Sequence, residues 1–215
     1  MKLAVIPVTP FQQNCSLIVC AATGKAAFVD PGGEVPRLLA TLDRSGATLQ
    51  KILVTHGHAD HCGGVAELAE RTGVRVEGPH PDDQFWIEQL EQAGSTFGIA
   101  GARTFTPDRW LAGGDTVTVG DLRFEVRHCP GHTPGHVAFV APDRRIAFVG
   151  DVLFQGSVGR TDFPRGDFAT LVQSITHELW PYGDDVQFVP GHGPMSTFGD
   201  ERRSNPFVGD AVLAR

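Results

Sequence analysis

Short apolar runs alternate with glycine, proline and charged turns along the first part of the chain. Runs rich in valine and isoleucine predict strands, whereas leucines at helical spacing predict amphipathic helices. The predicted strands cover residues 2–8, 14–21, 25–30, 51–55 and 74–78, and the predicted helices cover residues 34–44 and 65–71. The chain therefore opens as a β-meander and continues with helices and strands in alternation.

The second half repeats this order of strands followed by helices. Apolar runs joined by Gly-Asp and Pro-Asp-Arg turns predict further hairpins, and a longer amphipathic stretch follows them. The predicted strands cover residues 115–119, 122–128, 136–141, 145–149 and 186–189, and the predicted helices cover residues 168–179 and 197–203. Two such repeats favour an α/β fold in which two sheets pack face to face with helices outside, a four-layer αβ/βα sandwich.

The middle of the chain, residues 79–110, departs from this pattern. It predicts a helix over residues 82–92, followed by an irregular glycine-rich stretch over residues 93–101. Because long irregular segments often cover binding sites, we expect a lid or binding loop here. Trp86, Leu90 and Phe97 could face a substrate, although ordinary packing would give the same apolar spacing.

Length and charge narrow the class of protein. The 215 residues suit one domain, residues 1–215, and the formal net charge is −7 without a basic stripe. We therefore expect no nucleic-acid partner. No apolar run is long enough to cross a bilayer and the first residues lack a leader pattern, so we expect no membrane association and a cytoplasmic location.

Cysteine usage adds one exclusion. Cys15, Cys20, Cys62 and Cys129 are scattered without a Cys-x-x-Cys pair. This spacing indicates neither a disulfide framework nor a structural zinc knuckle. We expect four free thiols.

The densest chemistry lies in the loop after the predicted strand 51–55. His56, His58, Asp60 and His61 stand within six residues, directly before the predicted helix 65–71. Neutral imidazole and carboxylate groups are ligands for Zn, Fe, Ni and Cu. The loop therefore predicts a metal site at the end of a buried strand, with enough ligands for two adjacent ions.

Three other predicted strand ends carry the same ligand types beside glycine or proline. They are His132 in Pro-Gly-His, Asp151 in Gly-Asp and His192 in Pro-Gly-His. The repetition favours one shared site over unrelated turns. His80, His128 and His177 match no such position, and we expect them to be surface or packing residues.

In this order along the chain, these ligands resemble the pattern of the metallo-β-lactamase superfamily. The resemblance implies a four-layer αβ/βα fold that holds two divalent metal ions, zinc in the first place, with iron or manganese as alternatives. One ion would be bound by His56, His58 and His132, the other by Asp60, His61 and His192, with Asp151 between them. Asp60 would also orient the attacking water.

Within that superfamily, three segments most resemble glyoxalase II in its short form, the small hydroxyacylglutathione hydrolases. These segments are residues 130–136, 159–164 and 191–197. The resemblance implies metal-dependent hydrolysis of a glutathione thioester, such as S-D-lactoylglutathione, to D-lactate and glutathione by metal-activated hydroxide. It also implies a small-molecule partner and no separate C-terminal helical domain.

Substrate contacts are predicted less directly. Arg160 and Asp162 replace a lysine and a tyrosine that contact glutathione in the long enzymes. Arg160 could pair with a substrate carboxylate or form a surface salt bridge, and Phe97 could face the substrate. His136 could orient a metal ligand or serve only the turn.

Other functions stay open at this stage. The same ligands occur in iron-dependent persulfide dioxygenases, in lactonases and in β-lactamases, and a non-catalytic binding module is a further alternative. The sequence leaves the identity of the metal and the oligomeric state undetermined.

Overall fold

A computed structural model describes residues 1–214 and contains two large β-sheets. The first sheet has five strands whose spatial order follows the chain. These strands are β1 (Lys2–Val8), β2 (Gln13–Val19), β3 (Lys25–Val29), β4 (Thr48–Leu53) and β5 (Arg75–Glu77). The first three pair antiparallel, whereas β3, β4 and β5 are parallel because helices cross between them.

The second sheet has six strands in the order β13-β12-β9-β8-β7-β6. Strands β12 and β9 are parallel and the other neighbours are antiparallel. The remaining pair, β10 and β11, forms a separate two-stranded ribbon. The bounds are β6 (Thr116–Val119), β7 (Leu122–His128), β8 (Val137–Ala141), β9 (Ile146–Gly150), β10 (Leu153–Phe154), β11 (Ser157–Val158), β12 (Gln187–Pro190) and β13 (Ser196–Thr197).

Helices lie on the outer faces of both sheets. The α-helices are α1 (Val35–Ser45), α2 (Ala59–Cys62), α3 (Val65–Thr72), α4 (Gln84–Ile87), α5 (Leu90–Phe97), α6 (Phe168–Gln173), α7 (Phe198–Ser204) and α8 (Asp210–Leu213). Short 3-10 turns occupy Pro81–Asp83, Pro142–Arg144 and Trp180–Tyr182, and a π-helical turn, Ser174–Leu179, continues α6. No helix within residues 1–214 has both the length and the apolar character needed to cross a membrane.

Because successive side chains of a strand point to opposite faces of its sheet, the apolar residues form three layers. Phe28 and Ile52 pack with the helices on the first sheet, whereas their neighbour Leu53 packs between the sheets. Phe139 of the second sheet also packs between the two sheets. Leu171 packs in the third layer, on the outer face of the second sheet. Each fully buried side chain of this size contributes about 2–3 kcal/mol. The predicted four-layer αβ/βα sandwich is confirmed.

The prediction for residues 82–101 is wrong in two respects. The expected single helix over residues 82–92 is divided into a 3-10 turn, α4 and the start of α5, and the stretch expected to be irregular is helical up to Phe97. Gly94 explains the second difference, because a Cβ atom there would lie 2.5 Å from that of Ala102. The glycine therefore permits close packing that outweighs its low helix propensity.

Leu90, which could have faced a substrate, is fully buried in the core beneath the first sheet's helices. Its apolar spacing therefore reflects packing. Trp86 is partly buried and its ring contacts that of His58, whereas Phe97 is exposed.

Candidate metal centre

All seven side chains predicted to bind metal meet at one edge of the two sheets. The loop after β4 supplies His56 and His58, and α2 supplies Asp60 and His61. The remaining three follow strands of the second sheet. Two of these strands, β9 and β12, are parallel neighbours, so their ends lie at the same edge of the sheet. They are His132 after β7, Asp151 after β9 and His192 after β12.

Three imidazoles form the first group. The Nδ1 atom of His58 lies 3.1 Å from Nε2 of His56 and 3.0 Å from Nε2 of His132. The three ligand atoms all lie within 4.8 Å of one another. This group could hold one metal ion through nitrogen donors.

The second group combines a carboxylate with two imidazoles. The Oδ2 atom of Asp60 lies 3.2 Å from Nε2 of His192 and 3.9 Å from Nε2 of His61. These three ligand atoms also lie within 4.8 Å of one another. This group could hold a second ion.

Asp151 stands between the two groups. Its Oδ1 atom lies 3.2 Å from Nε2 of His61 in the second group. Its Oδ2 atom lies 3.6 Å from Nε2 of His132 in the first group and 3.6 Å from Nε2 of His192 in the second. One carboxylate can therefore face two ions.

The protonation states suit metal ligands. Burial, reinforced by the neighbouring imidazoles, lowers the pKa of His56 well below its ordinary value and that of His58 to about 3. Burial also lowers the pKa of His132. These imidazoles are therefore neutral near pH 7 and keep a lone pair for an ion.

The carboxylates favour a cation at the centre. Burial alone would raise the pKa of Asp151, but His61, His132 and His192 hold it well below its usual range. Burial likewise opposes charge on His61, yet Asp151 and Asp60 raise the pKa of its imidazole well above the ordinary value. Two carboxylates thus favour positive charge at this point.

Unpaired polar atoms indicate the same kind of ligand. Nε2 of His61 and Oδ1 of Asp151 are both buried, and apart from each other, at 3.2 Å, neither has a polar partner at hydrogen-bond distance among the described residues. A buried polar atom without a partner is costly, and an ion would satisfy both atoms. The donor set therefore fits divalent cations.

Asp30 orients two of the imidazoles and was missed by the sequence analysis. Its Oδ2 atom accepts hydrogen bonds from Nδ1 of His61, at 2.9 Å, and from the hydroxyl of Thr55, at 2.6 Å. The Thr55 oxygen in turn lies 3.0 Å from Nδ1 of His56 and accepts its hydrogen bond. Both rings therefore direct Nε2 toward the centre.

Backbone carbonyls orient two others. His132 donates from Nδ1 to the carbonyl oxygen of Arg160 at 2.7 Å, and His192 donates from Nδ1 to that of Phe11 at 3.2 Å. Each bond fixes the tautomer that leaves Nε2 available.

Asp83 connects the two ligand loops, and no sequence signal distinguished it from its neighbour Asp82. Its buried carboxylate accepts hydrogen bonds from the amides of Gly57 at 2.8 Å and Gly135 at 2.6 Å, and from the hydroxyl of Thr133 at 2.8 Å. Burial raises the pKa of Asp83 to about 6 despite these three donors. The residue holds both loops in place.

His136 lies behind the centre. It is buried, its ring stacks on that of His56 at 4.6 Å, and its Nε2 atom accepts a hydrogen bond of 3.0 Å from the amide of Asp151. This placement fits the predicted role of orienting a ligand.

Arg160 and Phe97, the two predicted substrate contacts, both contact other side chains of the protein. Arg160 pairs with Asp162 at 2.8 Å and lies 4.7 Å over the ring of Phe163, while its carbonyl holds His132. Phe97 is 53% exposed and its ring contacts that of Phe11 at 5.8 Å. The surface salt bridge considered for Arg160 is therefore present, and the substrate contacts of both residues stay predictions.

This fold and this set of ligands define the class of protein. The sequence profile of the Metallo-beta-lactamase superfamily matches residues 8–192, which include all seven ligand positions. The chain belongs to the metallo-beta-lactamase superfamily, and its site is one for divalent metal.

Within the superfamily, the chain is similar to hydroxyacylglutathione hydrolase GloC of Haemophilus influenzae. The two are 46% identical over 209 residues, which cover 97% of this chain and 98% of that one. Two solved structures share the fold along nearly the whole length. The BLEG-1 B3 metallo-beta-lactamase is 34% identical with a TM-score of 0.88, covering 96% of this chain and 99% of that one. TTHA1623 in a di-iron-bound form is 38% identical with a TM-score of 0.86, covering 95% and 99%.

Proposed function

We propose that the protein hydrolyses a glutathione thioester, such as S-D-lactoylglutathione, with two divalent metal ions held by the seven-residue centre. The observation that carries the proposal is the position of Asp151, whose two oxygens face the two groups of ligands. The similarity to the hydroxyacylglutathione hydrolase of Haemophilus influenzae supports the choice of substrate.

A pair of divalent ions, when bound, activates water for attack on a carbonyl and stabilises the negative charge that develops there. His56, His58 and His132 would hold one ion, and Asp60, His61 and His192 the other. Asp60 would also orient the attacking water, since its carboxylate is partly exposed at the mouth of the centre.

A thioester suits this centre because its leaving group needs little help. Ordinary thiols have a pKa of about 8.5, so the thiolate departs without a dedicated general acid. A small-molecule thioester is therefore the partner that we propose.

We propose zinc as the metal, with iron or manganese as alternatives. The two groups offer imidazole nitrogens and carboxylate oxygens and no thiolate, a set that all three metals accept. The di-iron form of TTHA1623 supports iron as an occupant of a similar fold.

Thiol release from S-D-lactoylglutathione tests the proposal. Purified protein, stripped of metal and reloaded separately with Zn²⁺, Fe²⁺ or Mn²⁺, should release glutathione with at least one of them. Asp151→Ala should abolish release, whereas His177→Ala should not, because His177 is exposed in the π-helical turn and its ring bonds Thr176 and the Gln173 carbonyl, not a ligand.

Parallel assays decide between this function and its competitors. Oxygen uptake with glutathione persulfide, or cleavage of a lactone or a β-lactam without thiol release from the thioester, would contradict the proposal.

A further inference from the structure

One loop, residues 159–166, borders the first group of imidazoles with an aromatic wall. The ring of Phe163 lies 4.9 Å from that of His58 and 5.6 Å from that of His132. The ring of Trp86 lies 4.6 Å from that of His58, and Phe85 continues the wall 5.0 Å beyond Trp86. A substrate that reaches the centre from this side must pass along these rings.

The loop carries two arginines, of which one is already paired with a carboxylate and the other is not. The guanidinium of Arg160 makes two hydrogen bonds to the carboxylate of Asp162, at 3.0 and 2.8 Å, so its charge is already compensated. Arg165 lies 4.4 Å over the ring of Phe85 and forms no ion pair within residues 1–214. Its exposed charge is available to an anion from solution.

The backbone at Arg165 is unusual for a side chain of this size. The amide of Gly166 donates to the carbonyl of Phe163 at 2.8 Å, which closes a turn with Pro164 and Arg165 at its centre. Arg165 adopts φ 63°, the left-handed conformation for which this turn position normally takes glycine. A non-glycine residue in this conformation raises the energy of the folded state. The side chain of Arg165 therefore lowers the stability of the protein.

We infer that Arg165, and not Arg160, binds a carboxylate of the substrate. The inference rests on the proposed function, because a glutathione thioester carries carboxylates at its glycyl and γ-glutamyl ends. With the thioester at the metal centre, the peptide lies along Phe163, Trp86 and Phe85 and brings a carboxylate to Arg165.

The test compares Arg165→Gly with the matched control Arg160→Ala. Glycine removes the charge and relieves the left-handed backbone, so the melting temperature should rise while binding weakens. The KM for S-D-lactoylglutathione should rise about five- to tenfold in Arg165→Gly, with kcat within about twofold of the parent protein. S-lactoyl-N-acetylcysteamine carries the same acyl group without carboxylates, and its hydrolysis should not change.

Calorimetry with S-hexylglutathione, a thioether that cannot be hydrolysed, separates binding from catalysis. Its Kd should rise by the same factor in Arg165→Gly and stay within about twofold in Arg160→Ala. If Kd depends on Arg165 while the thioester is not cleaved, the proposed reaction fails, and only the binding of a glutathione carboxylate by Arg165 stands. An unchanged Kd, or an equal loss with Arg160→Ala, overturns the inference even if the thioester is cleaved.

Discussion

The carboxylate of Asp83 accepts a hydrogen bond of 2.8 Å from the amide of Gly57, the residue between two of the imidazoles. The same carboxylate binds Thr133 and Gly135 in the other ligand loop. Asp83 thus connects a loop of the first sheet with a loop of the second, and it does so from the segment that precedes α4.

Removing this carboxylate should weaken the fold and the centre together. In Asp83→Ala, two amides and a hydroxyl lose a buried acceptor, at about 1–3 kcal/mol each. We expect urea unfolding to show a loss of about 3 kcal/mol or more, and dialysed protein to retain less metal. Asp82→Ala, whose side chain is 58% exposed, should change stability by less than about 1 kcal/mol. Equal stabilities would refute this account of Asp83.

The two groups of ligands should be separable by substitution. His58→Ala and His192→Ala should each retain about one ion per chain, because each variant leaves the other group intact. Asp151→Ala should retain fewer ions than either, since its carboxylate faces both groups. Elemental analysis after dialysis measures this directly, with His177→Ala as the control that keeps the full content. Full metal content in Asp151→Ala would argue against a shared carboxylate.

Glycine is required at position 191 because the backbone there lies very close to the metal centre. A Cβ atom at this position would lie 2.0 Å from Oδ1 of Asp151 and 2.5 Å from Cε1 of His61. Gly191→Ala should therefore displace the carboxylate and reduce metal affinity by about 100-fold, as measured by competition with a chelator. Gly193→Ala is a matched control, because nothing lies within 4 Å of its Cβ position although its φ is +76°. It should cost about 1 kcal/mol of stability and leave metal affinity unchanged.

His80 should make stability depend on pH below neutrality. Burial and the imidazole of His128, stacked at 4.2 Å, lower the pKa of His80, while the nearby carboxylate of Asp82 opposes this shift. The unfolded chain therefore takes up a proton near pH 6.5, before the folded protein does, and stability falls as the pH drops through that value. Above it, His80 is neutral in both states and contributes no pH dependence.

His80→Gln removes this contribution. As the pH drops below about 6.5, its unfolding free energy should fall less steeply than that of the parent protein. Parallel curves for His80→Gln and the parent would contradict the assignment. Urea titrations at a series of pH values provide the comparison.

The candidate ligands could be picked out from the sequence because they lie in the segments that follow apolar strands. The end of a buried strand fixes where its next polar side chain lies, so His132, Asp151 and His192 could be expected near the His56–His61 loop. The double-sheet architecture followed from the same alternation. Both depend on patterns that are local in the chain.

Asp83 and the helix α5 could not be predicted in this way. The partners of Asp83 lie 26, 50 and 52 residues away in the chain. The helical state of Gly94 depends on a close approach to Ala102 that only the folded chain provides. Contacts that only the folded chain makes, and not local preference, decide both features.

The candidate metal ligands come from both sheets, and this affects how the chain reaches its folded state. An ion that needs His58 from one sheet and His132 from the other binds only after the sheets have docked. By mass action, such an ion stabilises the docked arrangement, and the gain grows with its free concentration. The supply of metal in the surroundings therefore acts on the amount of folded protein as well as on its activity.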